Sequence, residues 1–262
     1  MAEPRSRQRG RASTAGNATQ KALRVLEAAA APNGPHRLGD IAARAAVAKA
    51  TTHRLLVLLV GDGYLTADGG GLYGAGPRLH AFAAEVSAQS PRDVAQLLRG
   101  LQQAVGGHTV HLALRSGDHA TYIQKIDSDQ SYQMASRVGM SIPLHCTAIG
   151  KAILAYLPND ELDSVVATRG LPGRTPATIT DRRRLDAELA FIRERGYAVD
   201  DEENESTIRC VAAPVLDAGG RPLGGVSVST VTFVVSREKL ESFVPDLLAN
   251  AGKVARALTD AA

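Results

Sequence analysis

The stretch Lys49-Ala50-Thr51-Thr52-His53-Arg54-Leu55-Leu56-Val57-Leu58-Leu59-Val60-Gly61-Asp62-Gly63 divides its chemistry in two. The first six residues are small or polar and rich in hydrogen-bond donors. The next six are aliphatic, and Asp62-Gly63 closes the run. The pattern predicts a helix over 48–61 that is anchored by its leucines and leaves its first turns polar. A helix that enters the major groove of DNA needs that division, because its N-terminal turns meet the duplex while the rest packs on partner helices. Lys49 and Arg54 suit phosphates, and the Thr51 hydroxyl can donate to one. Thr52 and His53 are the candidates for base edges.

The flanks complete a module. Upstream, Leu23, Leu26 and Ala30 recur at helical spacing over 18–31, and Pro32-Asn33-Gly34-Pro35 ends that run. A short helix over 39–45 carries Asp40 near its positive end, with Ile41 and Ala45 facing inward. Downstream, Tyr64-Leu65-Thr66 and Leu72-Tyr73 flank Asp68-Gly69-Gly70-Gly71 and read as a β-hairpin. Helix, helix, turn, helix, hairpin is the order of a winged helix-turn-helix, with double-stranded operator DNA as its partner. A three-helix module that binds protein shares the pattern. Residues 1–77 hold ten Lys and Arg against five Asp and Glu, a net +5, whereas the rest of the chain is at −2. Four of those arginines lie in a Ser-, Ala- and Gly-rich segment with no apolar period, so 1–17 reads as a disordered basic tail.

Leu79, Phe82, Ala83 and Val86 form one stripe of a linker helix over 78–88, and Pro91 breaks the chain after it. The pattern divides the protein into a winged helix-turn-helix (18–77), a linker (78–90) and a larger domain (91–262). In the larger domain, 92–105 is an amphipathic helix. Strands over 108–115 and 119–126 flank Ser116-Gly117-Asp118, and strands over 208–217 and 222–231 flank Ala218-Gly219-Gly220. Helices are predicted over 145–157, ended by Pro158, over 181–195, and over 236–258 as one long closing element. Hairpins with flanking helices, without regular strand–helix alternation, predict an antiparallel α+β domain.

Several function classes recede. No apolar run approaches the ~18 residues of a membrane span, and no apolar segment follows the N-terminal arginines, so the cytoplasm is the expected location and no membrane partner is expected. Two cysteines are too few for a disulfide framework. His145-Cys146 supports an alternative reading as a small-molecule-processing enzyme with a thiol nucleophile, but neighbours at a helix start point in different directions. Gly225-Val226-Ser227-Val228-Ser229 lacks the second glycine of a nucleophile elbow. His108 and His111, three apart on a strand, face opposite sides and make a poor metal pair. No metal, no cofactor and no catalytic residue are expected.

Over residues 18–258 the chain resembles the IclR family of bacterial transcription regulators. Lys21-Ala22-Leu23-Arg24-Val25-Leu26, Thr51-Thr52-His53-Arg54-Leu55-Leu56 and Asp62-Gly63-Tyr64-Leu65 carry the likeness in the first domain. The more specific blocks lie beyond: Pro143-Leu144-His145-Cys146-Thr147-Ala148-Ile149-Gly150-Lys151, Ile192-Arg193-Glu194-Arg195-Gly196-Tyr197, Arg209-Cys210-Val211-Ala212-Ala213-Pro214-Val215, and Val226-Ser227-Val228-Ser229. The resemblance implies a GAF-like effector-binding domain, homodimers that pair into tetramers, and repression or activation governed by a small metabolite such as an organic or sugar acid. By position it implies an effector pocket of Met134, Ile142, Ala148, Ile149, Asp200, Ile208, Cys210, Ser227 and Ser229. The chain departs from the family pattern at Ala48, where many relatives have a capping Ser or Pro, at Ala50, at Thr207 in place of Gly, and at Thr230-Val231-Thr232-Phe233.

The residues themselves suggest what that pocket would do. Asp200 alternates with Val199, so one of the two faces inward, and a buried Asp needs donors. Glu202 and Glu203 read as a solvated charge run. Ser227 and Ser229 share one strand face. Backbone amides at the 147–150 helix start, with Gly150 allowing close approach, suit an anionic ligand group. Cys146 and Cys210 read as small buried side chains and Lys151 as a snorkelling surface residue.

Overall fold

The computed structural model describes residues 17–89 and 92–259. The expected basic tail, Asn17 excepted, and the break at Pro91 lie outside the described residues. The chain divides into two compact units, Met1–Gln89 and Ser90–Ala262.

In the first unit, α1 (Ala18–Ala29), α2 (Leu38–Ala45) and α3 (Lys49–Gly61) close over a small core of Val25, Ala28, Ile41, Ala45, Val47 and Leu56. A capping box starts α1: Asn17 Oδ1 accepts from the Gln20 amide and Gln20 Oε1 accepts from the Asn17 amide, each at 2.9 Å. Helix α2 ends on Ala46 in the left-handed region (φ 50°), which turns the chain towards α3. Ala48 precedes α3 and offers no side-chain acceptor to its first amides. An Ala at this position costs about 1 kcal/mol relative to Ser. Ala48→Ser is therefore expected to stabilise this unit by about that amount, read as a urea midpoint moved upward; an unchanged midpoint would show that those amides are already satisfied.

β2 (Leu65–Ala67) and β3 (Leu72–Ala75) form the expected hairpin, starting one residue later than Tyr64 and running on to Ala75. Asp68 Oδ1 organises its turn by accepting from the amides of Gly70 (2.8 Å) and Leu72 (3.0 Å). A third strand, β1 (His36–Arg37), pairs with β3 and was not anticipated, because two residues show no period. α4 (Pro77–Gln89) follows.

The second unit contains α5 (Arg92–Ala104), β4 (Thr109–Ser116), β5 (His119–Ile126), β6 (Ser141–Pro143), α6 (Ala148–Leu154), α7 (Asn159–Arg169), α8 (Arg182–Arg195), β7 (Ala198–Asp201), β8 (Ile208–Leu216), β9 (Pro222–Val231), α9 (Arg237–Glu241) and α10 (Val244–Thr259). Its sheet has the order β6-β5-β4-β9-β8-β7, antiparallel throughout. α5 and α10 cover one face over Val110, Leu112, Val211 and Val228. α6, α7 and α8 cover the other over Ala113, Ala120 and Ala212. Both faces being covered, every residue of β9 from Gly224 to Val231 is buried. Gly224 is needed there, since a Cβ would lie 2.1 Å from Ala113 O on β4.

Three expectations change. The helix over 145–157 shrinks to α6 because Thr147 caps it: its Oγ1 accepts from the Gly150 amide (3.0 Å) and donates to Pro143 O (2.7 Å). Pro158 then opens α7, which has no clear apolar stripe in sequence. The long closing helix splits into α9 and α10, because the Pro245 ring at the start of α10 excludes a helical carbonyl four residues earlier, at Glu241.

Candidate DNA-contact helix and effector cavity

On α3, Lys49, His53 and Arg54 are exposed and Thr51 is half-buried, so these four stand on the accessible side of the helix start. Thr52 does not. Its exposure is 0%, and its Oγ1 donates towards Val47 O (3.3 Å) and Ala48 O (3.2 Å), tying the helix start to the turn. Thr52 is thus corrected from a base-reading candidate to a core residue. The aliphatic end also differs: Leu56 anchors the helix, while Val57 and Leu58 are exposed.

In the second unit the strand register builds a polar row. Ser229 pairs with Cys210, and Cys210 with Asp200; one step along, His111 pairs with Ser227. Directly paired residues share a sheet face, so these side chains converge. They line a cavity of about 210 Å3, to which Met134, Ile142, Ala148, Ile149 and Ile208 also contribute. All nine residues named for the pocket meet there. The sequence reading missed His111, Tyr122, Ser136, Asn204 and Glu205, which line it as well. The alternation of β4 places His111 on the Ser227 face and was a usable signal; residues 136 and 204–205 come from loops without period.

Asp200 Oδ1 accepts from the amides of Glu203 (2.8 Å) and Asn204 (3.3 Å), holding the loop that borders the cavity. Burial nevertheless pushes its carboxyl up to about 7. His111 Nε2 lies 2.7 Å from Ser136 Oγ, Nδ1 lies 3.4 Å from Ser229 Oγ, and the ring stacks on Tyr122. Burial lowers its imidazole to about 3, so it is neutral at physiological pH. Cys210 Sγ donates to Ser229 Oγ at 3.1 Å, and burial raises its thiol above the ordinary range. No Lys or Arg is among the described residues lining the cavity.

Other expectations fail for one shared reason, the double cover of the sheet and its connections. Val199 and Asp200 point to opposite faces, yet both are buried. Glu203 is not solvated and Lys151 does not snorkel: Lys151, 1% exposed, forms an ion pair with Glu203 and lies 3.6 Å from Glu188. Gly150 allows approach of its own chain rather than a ligand, since a Cβ there would lie 2.4 Å from Leu144 Cα. The Gly150 amide is already taken by Thr147. Thr207 keeps the left-handed turn (φ 66°) in which the family pattern has Gly, and its amide donates to Glu202 Oε2 at 2.7 Å. β9 continues to Val231, which lines the cavity, and leaves Phe233 exposed.

The enzyme alternative has no support. His145 Nε2 donates to Pro172 O (2.9 Å), and Cys146 Sγ faces Asn204 Oδ1 (3.8 Å), so the two do not pair. Burial, with the negative charge of Asp200 adding to it, pushes the Cys146 thiol up to about 12, which keeps it protonated and unreactive. His108 bonds Tyr132 Oη (2.9 Å) while His111 faces the cavity, so they cannot share a metal.

Comparison with known proteins agrees. Residues 18–69 match the model of the IclR helix-turn-helix domain, and 90–256 match that of the bacterial transcriptional regulator IclR C-terminal domain. The chain is 32% identical to the HTH-type transcriptional regulator XynR of Escherichia coli over 91% of its own length and 96% of that protein's. It is 34% identical to the acetate operon repressor of Salmonella typhimurium, covering 80% and 78% of the two chains. The crystal structure of the Thermotoga maritima IclR superposes with a TM-score of 0.71 at 36% identity, covering 92% of this chain and 98% of that one. The first two of these relatives are named as regulators of transcription. A helix-turn-helix unit and a second, cavity-bearing unit, each matched by its own family model, establish that this chain belongs to the IclR family of bacterial transcriptional regulators.

Proposed function

We propose that the protein is a metabolite-responsive repressor of a catabolic or metabolic operon. It acts in the cytoplasm as a homodimer or a dimer of dimers on a near-palindromic operator. The Salmonella relative is named a repressor, and its sign of control is the one assigned here. Lys49, Thr51, His53 and Arg54 form the DNA-contact set, and α4 is the linker through which ligand state reaches the DNA heads. A ligand changes operator affinity only by binding one arrangement of the dimer better than the other.

The observation that carries the effector reading is the convergence of Asp200, Cys210, Ser227, Ser229 and His111 on one cavity. It is small, walled by hydroxyls, and without a lining cation. A hydroxylated carboxylic acid fits if Asp200, protonated near neutrality, donates to the ligand carboxylate and the serines and His111 take its hydroxyls.

A gel-shift titration with DNA upstream of the protein's own gene tests the reading. Specific retardation that a small hydroxy acid reverses is the expected result; binding indifferent to sequence contradicts it. Arg54→Ala is expected to weaken operator binding by about tenfold and to lower the slope of log affinity against log salt by about 1, as loss of one phosphate contact requires. An unaltered slope would remove Arg54 from the interface.

A further inference from the structure

A second cavity, of about 360 Å3, opens among the β6–α6 connection, α7 and residues 170–174, and shares only Ile142 with the effector cavity among the described residues. Its floor is apolar, built by Leu144, Leu154, Val165, Val166 and Leu171. Its rim carries arginines, which the lining of the effector cavity lacks among the described residues. Arg169 holds Asp118 through two bonds, Nε to Oδ2 at 2.7 Å and Nη2 to Oδ1 at 2.9 Å, so those charges cancel. Arg174 is different. Its Nε donates to Asn204 O (3.1 Å), which positions the guanidinium, and its terminal nitrogens make no hydrogen bond among the described residues. Burial holds the His145 imidazole below its ordinary range, so that ring adds no charge to the rim. Among the described residues Arg174 is thus in no ion pair, and it stands over an apolar hollow larger than the effector cavity, in the size range of small-molecule sites.

We propose that this cavity is a second ligand site, for a monocarboxylate with an apolar body: the carboxylate pairs with the terminal nitrogens of Arg174 and the body lies on Leu144, Leu154, Val165, Val166 and Leu171. An aromatic or branched aliphatic acid has that shape and charge. Arg174 is exposed, so its pair with a carboxylate is a charge-assisted bond screened by water, stronger than the neutral bond of an amide by a few-fold.

Isothermal titration of the full-length chain with phenylacetate, and with its neutral analogue phenylacetamide, tests this. Phenylacetate is expected to bind about threefold more tightly than the amide. Binding should persist in Ser227→Leu, which fills the effector cavity. It should weaken by about threefold in Arg174→Gln, which removes the charge, and by about tenfold or more in Val166→Phe, which fills the hollow and leaves Arg174 in place. Because Arg174 also holds Asn204 O, agreement between those two variants separates ligand contact from an effect on the loop. Nuclear Overhauser effects from phenylacetate to the Val165 and Val166 methyls of the unaltered protein give the same answer without a variant. The proposal is overturned by equal affinity for the amide, by no binding at about 10 mM, or by binding that Ser227→Leu abolishes while Arg174→Gln and Val166→Phe leave it intact. The effector reading stands or falls separately, on Asp200 and the serines.

Discussion

Lys151→Met is expected to lower the unfolding free energy by about 3–5 kcal/mol, because it leaves the Glu203 carboxylate buried without its counter-charge. Lys151 lies on α6 and is almost wholly buried, and Glu203 lies in the loop after β7. Their ion pair is one of several ties on that loop: Thr178 Oγ1 donates to Glu203 O (2.6 Å) and Thr175 Oγ1 to Glu202 O (2.6 Å). Glu203 Oε2 is buried with no hydrogen-bond partner, so the pair has little left to fall back on. Burial already raises the Glu203 carboxyl and Lys151 lowers it, so removing the lysine pushes it further up. A raised folded pKa contributes stability that is present at low pH and lost as pH rises. The deficit of Lys151→Met should therefore narrow on acidification. Adding Glu203→Leu should recover much of the loss, because a buried pair replaced by apolar side chains is often neutral. Urea unfolding of the two variants at neutral and acid pH decides it; a Lys151→Met deficit under about 1 kcal/mol would mean that the site is wetter than its burial implies.

Effector affinity is expected to fall about tenfold for each pH unit above about 7, and Asp200→Asn to abolish that dependence. Two carboxyls within hydrogen-bond reach cannot both be ionised at low cost, so an acid ligand needs the proton that Asp200 holds with its carboxyl near 7. His111, neutral across this range, does not contribute a slope. The asparagine can still accept from the amides of Glu203 and Asn204 while remaining uncharged, so the loop is kept. Stability carries the same sign: because burial raises the folded pKa, the Asp200 contribution is complete below about pH 4 and is lost as pH rises through about 7. Asp200→Asn should be more stable than the parent at alkaline pH and closer to it in acid. Calorimetric titration with a small hydroxy acid from about pH 6 to 9 is the measurement; a flat parent profile, or a variant that keeps the slope, would remove Asp200 from the ligand contact.

Much of the architecture was legible because its signals are local. The polar-to-aliphatic change along 49–60 announces α3, the glycine turn at 69–71 announces the first hairpin, and the turns Ser116-Gly117-Asp118 and Ala218-Gly219-Gly220 announce the β4–β5 and β8–β9 hairpins. The nine pocket residues reached one cavity by likeness of motif, and the strand register supplies the physical reason: Asp200, Cys210 and Ser229 are direct neighbours across three strands. Elements that failed lacked a local signal. β1 is two residues long, and α7 has no clear apolar stripe. Pro245 is the exception, a local signal for the break between α9 and α10.

Side-chain burial follows another logic. Periodicity states which residues share a face, and along this chain it placed most helices, the polar front of α3 and the Ser227–Ser229 pair. It cannot state whether a second layer covers that face. Thr52, Glu203 and Lys151 all read as accessible polar groups, and each is enclosed by segments distant in sequence or by the turn before its own helix. The desolvation that makes Lys151–Glu203 a structural latch and holds Asp200 near neutrality arises from that enclosure, a property of packed volume that no one-dimensional pattern encodes.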